Sequence, residues 1–162
     1  MKPEKKLAIA LKSAGATIAL AESCTGGGVA DRLVALPGIS EVLRGGVVAY
    51  TDDVKRDVLG VSPESLDRYT AVSEAVAKEM AEGARRVFSS DVAVSVTGIA
   101  GPGGGTVYTP VGRVYIGIAT PEGSYAFGFT FRGNRKKVRK KAVKWALSLA
   151  LSEIRITRIN KT

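Results

Sequence analysis

The chain has 162 residues, of which 45% are hydrophobic and 24% charged, and its formal net charge is +9 at pH 7. This length and composition predict one soluble globular domain over residues 1–162, with a core that needs neither disulfides nor metal. The single cysteine excludes an internal disulfide and favours the cytoplasm, and the absence of histidine excludes Ser-His-Asp and Cys-His mechanisms. We therefore expect no metal and no cofactor. No apolar stretch is long enough to span a membrane, so we expect no membrane partner.

The predicted elements alternate between helix and strand along most of the chain. Helical patterns fall near 4–14, 25–36, 52–59 and 73–88, and Ser73 is a good N-cap for the last of these. Strands are predicted at 17–21, 46–50, 92–97, 113–120 and 125–132. A turn at 120–124 joins the last two strands as a hairpin. This order predicts a single three-layer α/β/α domain with a mixed, mostly parallel sheet of about five strands.

The first candidate site is the segment AESCTGGG at 21–28, between a buried strand and a helix. A serine there meets the N–H groups that begin a helix, which we expect to be unpaired and partly positive. The segment suits either an anion or a serine nucleophile beside an oxyanion hole. The alternative is that Ser23 or Thr25 only caps the helix. Cys24 is either a second candidate nucleophile or a small buried apolar residue.

The second candidate site follows the predicted strand at 46–50. Tyr50 ends this strand, and Lys55 lies about one helical turn further on, so both are placed near the usual ligand position of open α/β folds. Burial or a neighbouring cation would lower the lysine pKa and make it a base. The alternative is a surface lysine and an amphipathic tyrosine. Nearby aspartates at 52, 53 and 57 could suggest a Mg²⁺ site, but favourable interaction of acidic residues with the helix dipole is sufficient to explain them.

A glycine-rich loop begins with TGIAGPGGG at 97–105 and continues to residue 111. It matches neither a Walker A motif nor a GxGxxG motif opening a helix. Its backbone N–H groups are suited to phosphate, or it is only a flexible connection.

Much of the excess positive charge lies in the segment 132–144. Apolar residues at Val138, Ala142, Trp145 and Leu149 indicate that this segment is part of a terminal helix. The pattern favours a solvated basic helix face over a nucleic-acid site, because no aromatic residues interleave with the basic ones.

Several motifs occur in order: AESCTGG at 21–27, RGGVVAY at 44–50 with Lys55, LGV at 59–61, AVS at 71–73, TGIAGPGG at 97–104, PVG at 110–112 and GNR at 133–135. Together they resemble the CinA C-terminal domain family, over residues from about 7 to 153. The characterised activity of that family is nicotinamide mononucleotide deamidase, an amide hydrolase that recycles pyridine nucleotides.

The resemblance implies a catalytic serine at Ser23, with Lys55 and Tyr50 activating it or moving protons. It implies a nucleotide substrate site that includes Thr25, Gly26, Gly46, Thr97, Gly98 and Arg135. Within this set, Arg135 is the candidate for the phosphate, because a guanidinium donates two parallel hydrogen bonds to phosphate oxygens. It also implies a homo-oligomer.

Two departures from the family pattern limit what is carried over. Many members have a large additional N-terminal domain, whereas this chain begins at the deamidase-like part. The segment 105–110 also differs from the usual charged loop. Two alternatives to an amidase are a non-catalytic nucleotide-binding module and a nucleic-acid-associated basic protein, the second of which we consider the weaker.

Overall fold

The structure is a computed structural model that describes residues 1–157. Its elements are α1 (Pro3–Ala14), β1 (Ile18–Glu22), α2 (Gly28–Val34), a 3-10 turn (Ile39–Glu41), β2 (Leu43–Val48), α3 (Asp52–Leu59), α4 (Pro63–Tyr69), α5 (Glu74–Phe88), β3 (Val92–Gly98), β4 (Arg113–Thr120), β5 (Gly123–Thr130) and α6 (Arg135–Thr157). The predicted strands and the first four predicted helices are confirmed to within three residues at each end. Helix α4 was not predicted, and residues 158–162 of the predicted domain lie outside the described residues.

Local signals explain where several helices begin and end. Helix α1 has a proline at its start, where the missing N–H costs nothing, and it ends at Gly15 with φ +57°. The hydroxyl of Ser73 accepts a hydrogen bond of 3.2 Å from the N–H of Val76, which confirms the predicted N-cap of α5. Helix α4 has the same signals, a Ser62 cap followed by Pro63, in a segment too short to show a helical period.

The five strands form one sheet in the order β2-β1-β3-β4-β5. Strand β1 pairs in parallel with both β2 and β3, whereas β4 pairs antiparallel with β3 and with β5. Strand β4 therefore runs against the other four, which confirms the mixed, mostly parallel sheet. The carboxyl ends of β1, β2 and β3 meet at one edge of the sheet, and this edge carries the loops described below.

Two helical layers cover the two faces of the sheet and confirm the three-layer architecture. Helices α1, α2 and α6 pack on one face around a large aliphatic core that includes Leu7, Leu20 and Ile116. Helices α3, α4 and α5 pack on the other face against small residues, among them Ala19 and Ala93. Among the described residues, no helix is both long enough and apolar enough to cross a membrane.

Candidate active site

A cleft of about 200 Å³ lies at the carboxyl ends of β1, β2 and β3. Five segments of the chain contribute its walls: Ser23, Cys24, Tyr50, Asp52, Lys55, Ala71, Val72, Thr97, Gly98, Ala100 and Arg135. The structure therefore brings together all three predicted catalytic residues and three of the six predicted substrate residues. The other three lie outside the cleft wall.

The loop that carries the serine, residues 22–28, is the serine loop. Its first residue, Glu22, is buried, and the two oxygens of its carboxylate accept hydrogen bonds from the N–H groups of Val29 and Ala30, at 3.0 and 2.9 Å. These are N–H groups of the first turn of α2. The expectation that this turn is unpaired is therefore wrong, because an acidic side chain from the preceding strand already occupies it.

Neither Ser23 nor Thr25 caps α2. The residue before the helix is Gly27, with φ +91°, and no side chain caps it there. Ser23 lines the cleft and is only 8% exposed. Its backbone N–H donates to the carbonyl of Val96 on β3 at 2.9 Å. The backbone bond to the central strand holds the serine at the edge of the sheet.

The N–H groups of the serine loop are only partly used. The N–H of Gly26 donates to the carbonyl of Ser23 at 3.0 Å, which removes Gly26 from the candidate oxyanion donors. Among the described residues, the N–H groups of Cys24 and Thr25 donate to no backbone carbonyl. The hydroxyl oxygen of Thr25 is also buried without a hydrogen-bond partner there, an uncommon state for a buried polar atom.

Arg139 on α6 holds the other end of the serine loop. Its Nε donates to the carbonyl of Cys24 at 3.0 Å, and its Nη2 donates to the carbonyl of Thr25 at 2.9 Å. Its guanidinium therefore fixes the peptide groups that follow Cys24 and Thr25. Sequence reasoning missed this role, although Arg139 lies one helical turn after Arg135 and so on the same helix face.

Lys55 is the largest fully buried side chain in the structure, with only 2% of its surface exposed. Its ammonium lies 3.5 Å from the carbonyl oxygen of Tyr50 and 3.8 Å from a carboxylate oxygen of Asp52. Burial lowers the pKa of Lys55 from its ordinary value, and the nearby Asp52 only partly opposes this. The alternative of a surface lysine is therefore wrong.

Tyr50 reaches the cleft from its outer rim and is 58% exposed. Its hydroxyl accepts a hydrogen bond of 3.1 Å from Nη2 of Arg135, and Nη1 of the same arginine donates to the carbonyl of Gly101 at 2.9 Å. Arg135 thus ties the tyrosine to the glycine-rich loop. The residue predicted to bind phosphate also positions a predicted catalytic residue.

The floor of the cleft comes from the end of β3. The hydroxyl of Thr97 donates to the carbonyl of Ala71 at 2.8 Å, which joins the strand to the segment before α5. A Cβ on Gly98 would lie 2.7 Å from Val114 and 2.8 Å from the carbonyl of Arg113, so only glycine fits beside β4 there.

The other three predicted substrate residues, which lie outside the cleft wall, have roles in the fold. Thr25 is fully buried, and Gly26 takes φ +58° next to Arg139. Gly46 lies within β2, where a Cβ would be 3.1 Å from the Cβ of Leu20, so close strand packing explains this glycine.

Cys24 lies on the cleft wall as a neutral thiol. Burial raises the pKa of this thiol to about 11, so almost none of it is thiolate at neutral pH. Its burial and raised pKa favour the second of its two interpretations, a small buried residue. The aspartates of α3 have local partners: Asp53 accepts from Thr51, and Asp57 pairs with Arg56 at 2.7 Å. Within residues 1–157, no group of three or more Cys, Asp or Glu side chains could hold a metal ion.

Comparisons with known proteins agree on one family. The model of the CinA C-terminal domain matches residues 1–154. A CinA-like protein of Gloeothece citriformis is 51% identical over 127 residues, which are 78% of this chain and 30% of that protein. A CinA-like protein of Anaeromyxobacter is 50% identical over 139 residues, or 86% of this chain and 34% of that protein. The chain thus spans about a third of the length of these curated relatives.

Solved structures match over nearly their whole length. The competence/damage inducible protein CihA of Agrobacterium tumefaciens superposes with a TM-score of 0.90 at 37% identity, covering 94% of this chain and 93% of that one. A CinA superfamily protein of Klebsiella pneumoniae gives a TM-score of 0.91 at 33% identity, covering 95% and 96%. At these identities the likeness extends beyond the fold to the sequence.

Proposed function

Because this chain belongs to the CinA C-terminal domain family, we propose that it hydrolyses the carboxamide of nicotinamide mononucleotide to nicotinic acid mononucleotide and ammonia. The observation that carries the proposal is the buried Lys55 in the same cleft as Ser23. A lysine is an effective base only when it is neutral, and burial moves Lys55 toward its neutral form. With no histidine in the chain, it is the strongest base available to the serine.

In the first half of the reaction, the Ser23 oxygen attacks the carboxamide carbon, and its proton passes to Lys55 directly or through the Tyr50 hydroxyl. The resulting oxyanion accepts a hydrogen bond from the N–H group of Cys24, which lines the cleft and donates to no backbone carbonyl. The C–N bond then breaks, and the protonated lysine returns its proton to the leaving nitrogen, which departs as ammonia. An ester between Ser23 and the nicotinoyl group remains.

In the second half, a water molecule takes the place of ammonia. Lys55 removes one proton from this water, whose oxygen attacks the ester carbon. The ester bond breaks, the serine recovers its proton from the lysine, and the carboxylate product leaves.

The surroundings of the cleft suit a nucleotide that carries a charged group. Arg135 lines the cleft and is our candidate for the phosphate, since its guanidinium has further N–H groups beyond those that bind Tyr50 and Gly101. A second hollow of about 540 Å³ adjoins the cleft at Val72 and gives room for the ribose. We propose a cytoplasmic, homo-oligomeric enzyme of pyridine-nucleotide recycling that uses no metal or cofactor.

The test is ammonia release from nicotinamide mononucleotide by the chain as it stands, by Ser23→Ala and by Cys24→Ala, each with and without a chelator. We expect turnover that resists the chelator, is lost in Ser23→Ala and persists in Cys24→Ala. Turnover that survives Ser23→Ala would contradict the serine mechanism. If there is no turnover but the nucleotide raises the melting temperature, the chain is a non-catalytic nucleotide-binding module instead.

A further inference from the structure

The charge of the molecule is divided between its two helical layers. Helices α1, α2 and α6 carry twelve lysines and arginines against three carboxylates, a net charge of +9. Helices α3, α4 and α5 carry six against eight, a net charge of −2. The excess positive charge of the chain is therefore concentrated on the face of the sheet covered by α1, α2 and α6.

A groove of about 630 Å³ runs between the start of α1, α2 and α6 on this face, lined by Lys2, Pro3, Arg32, Lys137, Lys140, Lys141 and Lys144. None of the described carboxylates lines it. Arg32 is paired with Glu4 at 2.6 Å, whereas Lys137, Lys140 and Lys144 are exposed and form no ion pair with any described residue. Three free ammonium groups in one groove favour a polyanionic ligand.

An aromatic strip lies beside the basic face, formed by Tyr125, Phe127 and Phe129 of β5, Phe131, and Trp145 of α6. In the antiparallel pair of β4 and β5, Tyr125 lies opposite Ile118 and Phe127 lies opposite Ile116. The side chains of these two isoleucines enter the core under α6, so both aromatic rings are on the α6 side of the sheet. The rings of Phe129 and Trp145 lie 5.0 Å apart.

The strip is open to solvent next to the lysines. Tyr125 is 42% exposed, Phe127 37% and Trp145 43%. Trp145 is four residues after Lys141 on α6, so the two side chains are neighbours on the helix surface. In the sequence the aromatic residues lie just before and just after the basic segment rather than between its lysines, and the fold brings the two ends together beside the groove.

We infer that this face binds single-stranded nucleic acid, with the phosphates along the groove lysines and the bases stacked on the aromatic strip. Basic grooves beside exposed rings are the usual means by which proteins hold single strands, because every base has a face that stacks. A duplex would offer its phosphates but not its base faces. None of the groove or strip residues lines the active-site cleft, so the inference does not depend on the proposed deamidase activity.

The single tryptophan of the chain makes the inference directly measurable, because Trp145 lies in the strip. A 20-nucleotide oligothymidylate is titrated into the protein while intrinsic fluorescence and the anisotropy of a labelled oligonucleotide are recorded over a salt series. We expect quenching of Trp145 and a log–log salt slope of about −3, from about −0.7 for each of four or so phosphate contacts. The matching duplex should bind with less quenching.

The first variant carries Lys137→Glu, Lys140→Glu and Lys144→Glu. Its matched control has the same change in net charge on the opposite layer, through Arg56→Glu, Arg68→Glu and Lys78→Glu. We expect the groove variant to lose more than about tenfold in affinity and the control to change much less. Thermal melting of both variants checks that they are folded. Phe127→Ala should weaken binding and leave the salt slope unchanged.

Three results would overturn the inference. Equal losses in the groove variant and its control would show that only net charge matters. Equal binding of duplex without quenching of Trp145 would show contacts to phosphates alone. Absence of binding at low salt, with Trp145 shielded from acrylamide as a dimer forms, would show that a second copy of the chain covers the strip.

Discussion

The two sides of the active-site cleft are held in different ways. On the serine side, Glu22 accepts hydrogen bonds from two backbone N–H groups, and Arg139 donates hydrogen bonds to two backbone carbonyls. All four donor–acceptor distances are 2.9 to 3.0 Å. On the lysine side, the ammonium of Lys55 has a carbonyl at 3.5 Å and a carboxylate at 3.8 Å. The serine loop is therefore held by four short hydrogen bonds, whereas the ammonium of Lys55 has only two long polar contacts.

In the proposed mechanism, this difference gives the two sides different tasks. Strong bonds around Ser23 maintain geometry, which an attacking oxygen and an oxyanion site require. Weak contacts around Lys55 leave desolvation as the main influence on its charge, which a base near neutral pH requires. Substitutions on the serine side should therefore affect stability as well as activity. Substitutions on the lysine side should affect activity and its pH dependence.

The largest effect is expected from Lys55→Met, which removes the proposed base and keeps a side chain of similar length. Loss of general-base catalysis should lower kcat by about 10²–10⁴-fold. The fold should persist, because the substitution removes a buried charge. Steady-state ammonia release and urea unfolding measure the two effects. The matched control is Lys6→Met, at an exposed lysine of α1, and a comparable loss of kcat there would contradict the assignment.

The pH dependence tests the same side of the cleft. Because burial lowers the pKa of Lys55 below 10.5, kcat/KM should rise with pH as the lysine loses its proton, with a midpoint below that value. Between the folded and unfolded pKa values the unfolded chain binds more protons, so this group makes the folded state more stable as pH rises. Lys55→Met should lose that part of the pH dependence of unfolding. An unchanged dependence would show that Lys55 titrates normally.

On the serine side, Glu22→Ala should lower the free energy of unfolding by about 2–3 kcal/mol, because two N–H groups at the start of α2 lose a buried charged acceptor. Glu22→Gln keeps one acceptor oxygen and should cost less. Urea unfolding measures both variants. The exposed Glu64 gives the control, and if Glu64→Ala costs as much as Glu22→Ala, the buried contact is not the cause.

Arg139→Lys should have a smaller effect. An ammonium on a flexible stem cannot hold the carbonyls of Cys24 and Thr25 together as the planar guanidinium does. We expect kcat to fall about tenfold, or about 1.4 kcal/mol of barrier, with little change in KM. A rise in KM at constant kcat would instead place Arg139 in substrate binding.

The smallest effect is expected from Cys24→Ala. The thiol is buried with its pKa raised to about 11, so we expect it neither to attack the substrate nor to react readily with iodoacetamide at pH 7. Activity should remain within about threefold of the original, since only a small contact is lost. Mass spectrometry after alkylation checks the low reactivity, and rapid labelling at pH 7 would contradict the buried thiol.

The sequence by itself determined the order of the elements and the residues around the cleft. The spacing of apolar residues predicts the five strands and most helices, because an element buried on one or two faces has apolar residues at a regular local spacing. Motifs at strand ends identify Ser23, Tyr50 and Lys55, because parallel strands bring their carboxyl ends to one edge. Helix α4 was missed, since seven residues are too few to show a helical period.

Only the tertiary structure decided which hydrogen bonds hold those residues and how far burial shifts their pKa values. The burial of Lys55, the bond from Glu22 to α2 and the grip of Arg139 on the serine loop all depend on contacts between separate elements. The same applies to the aromatic strip, in which Phe129 of β5 lies against Trp145 of α6. Desolvation and side-chain contacts depend on distance in space, and the spacing of residues along a chain does not specify that distance.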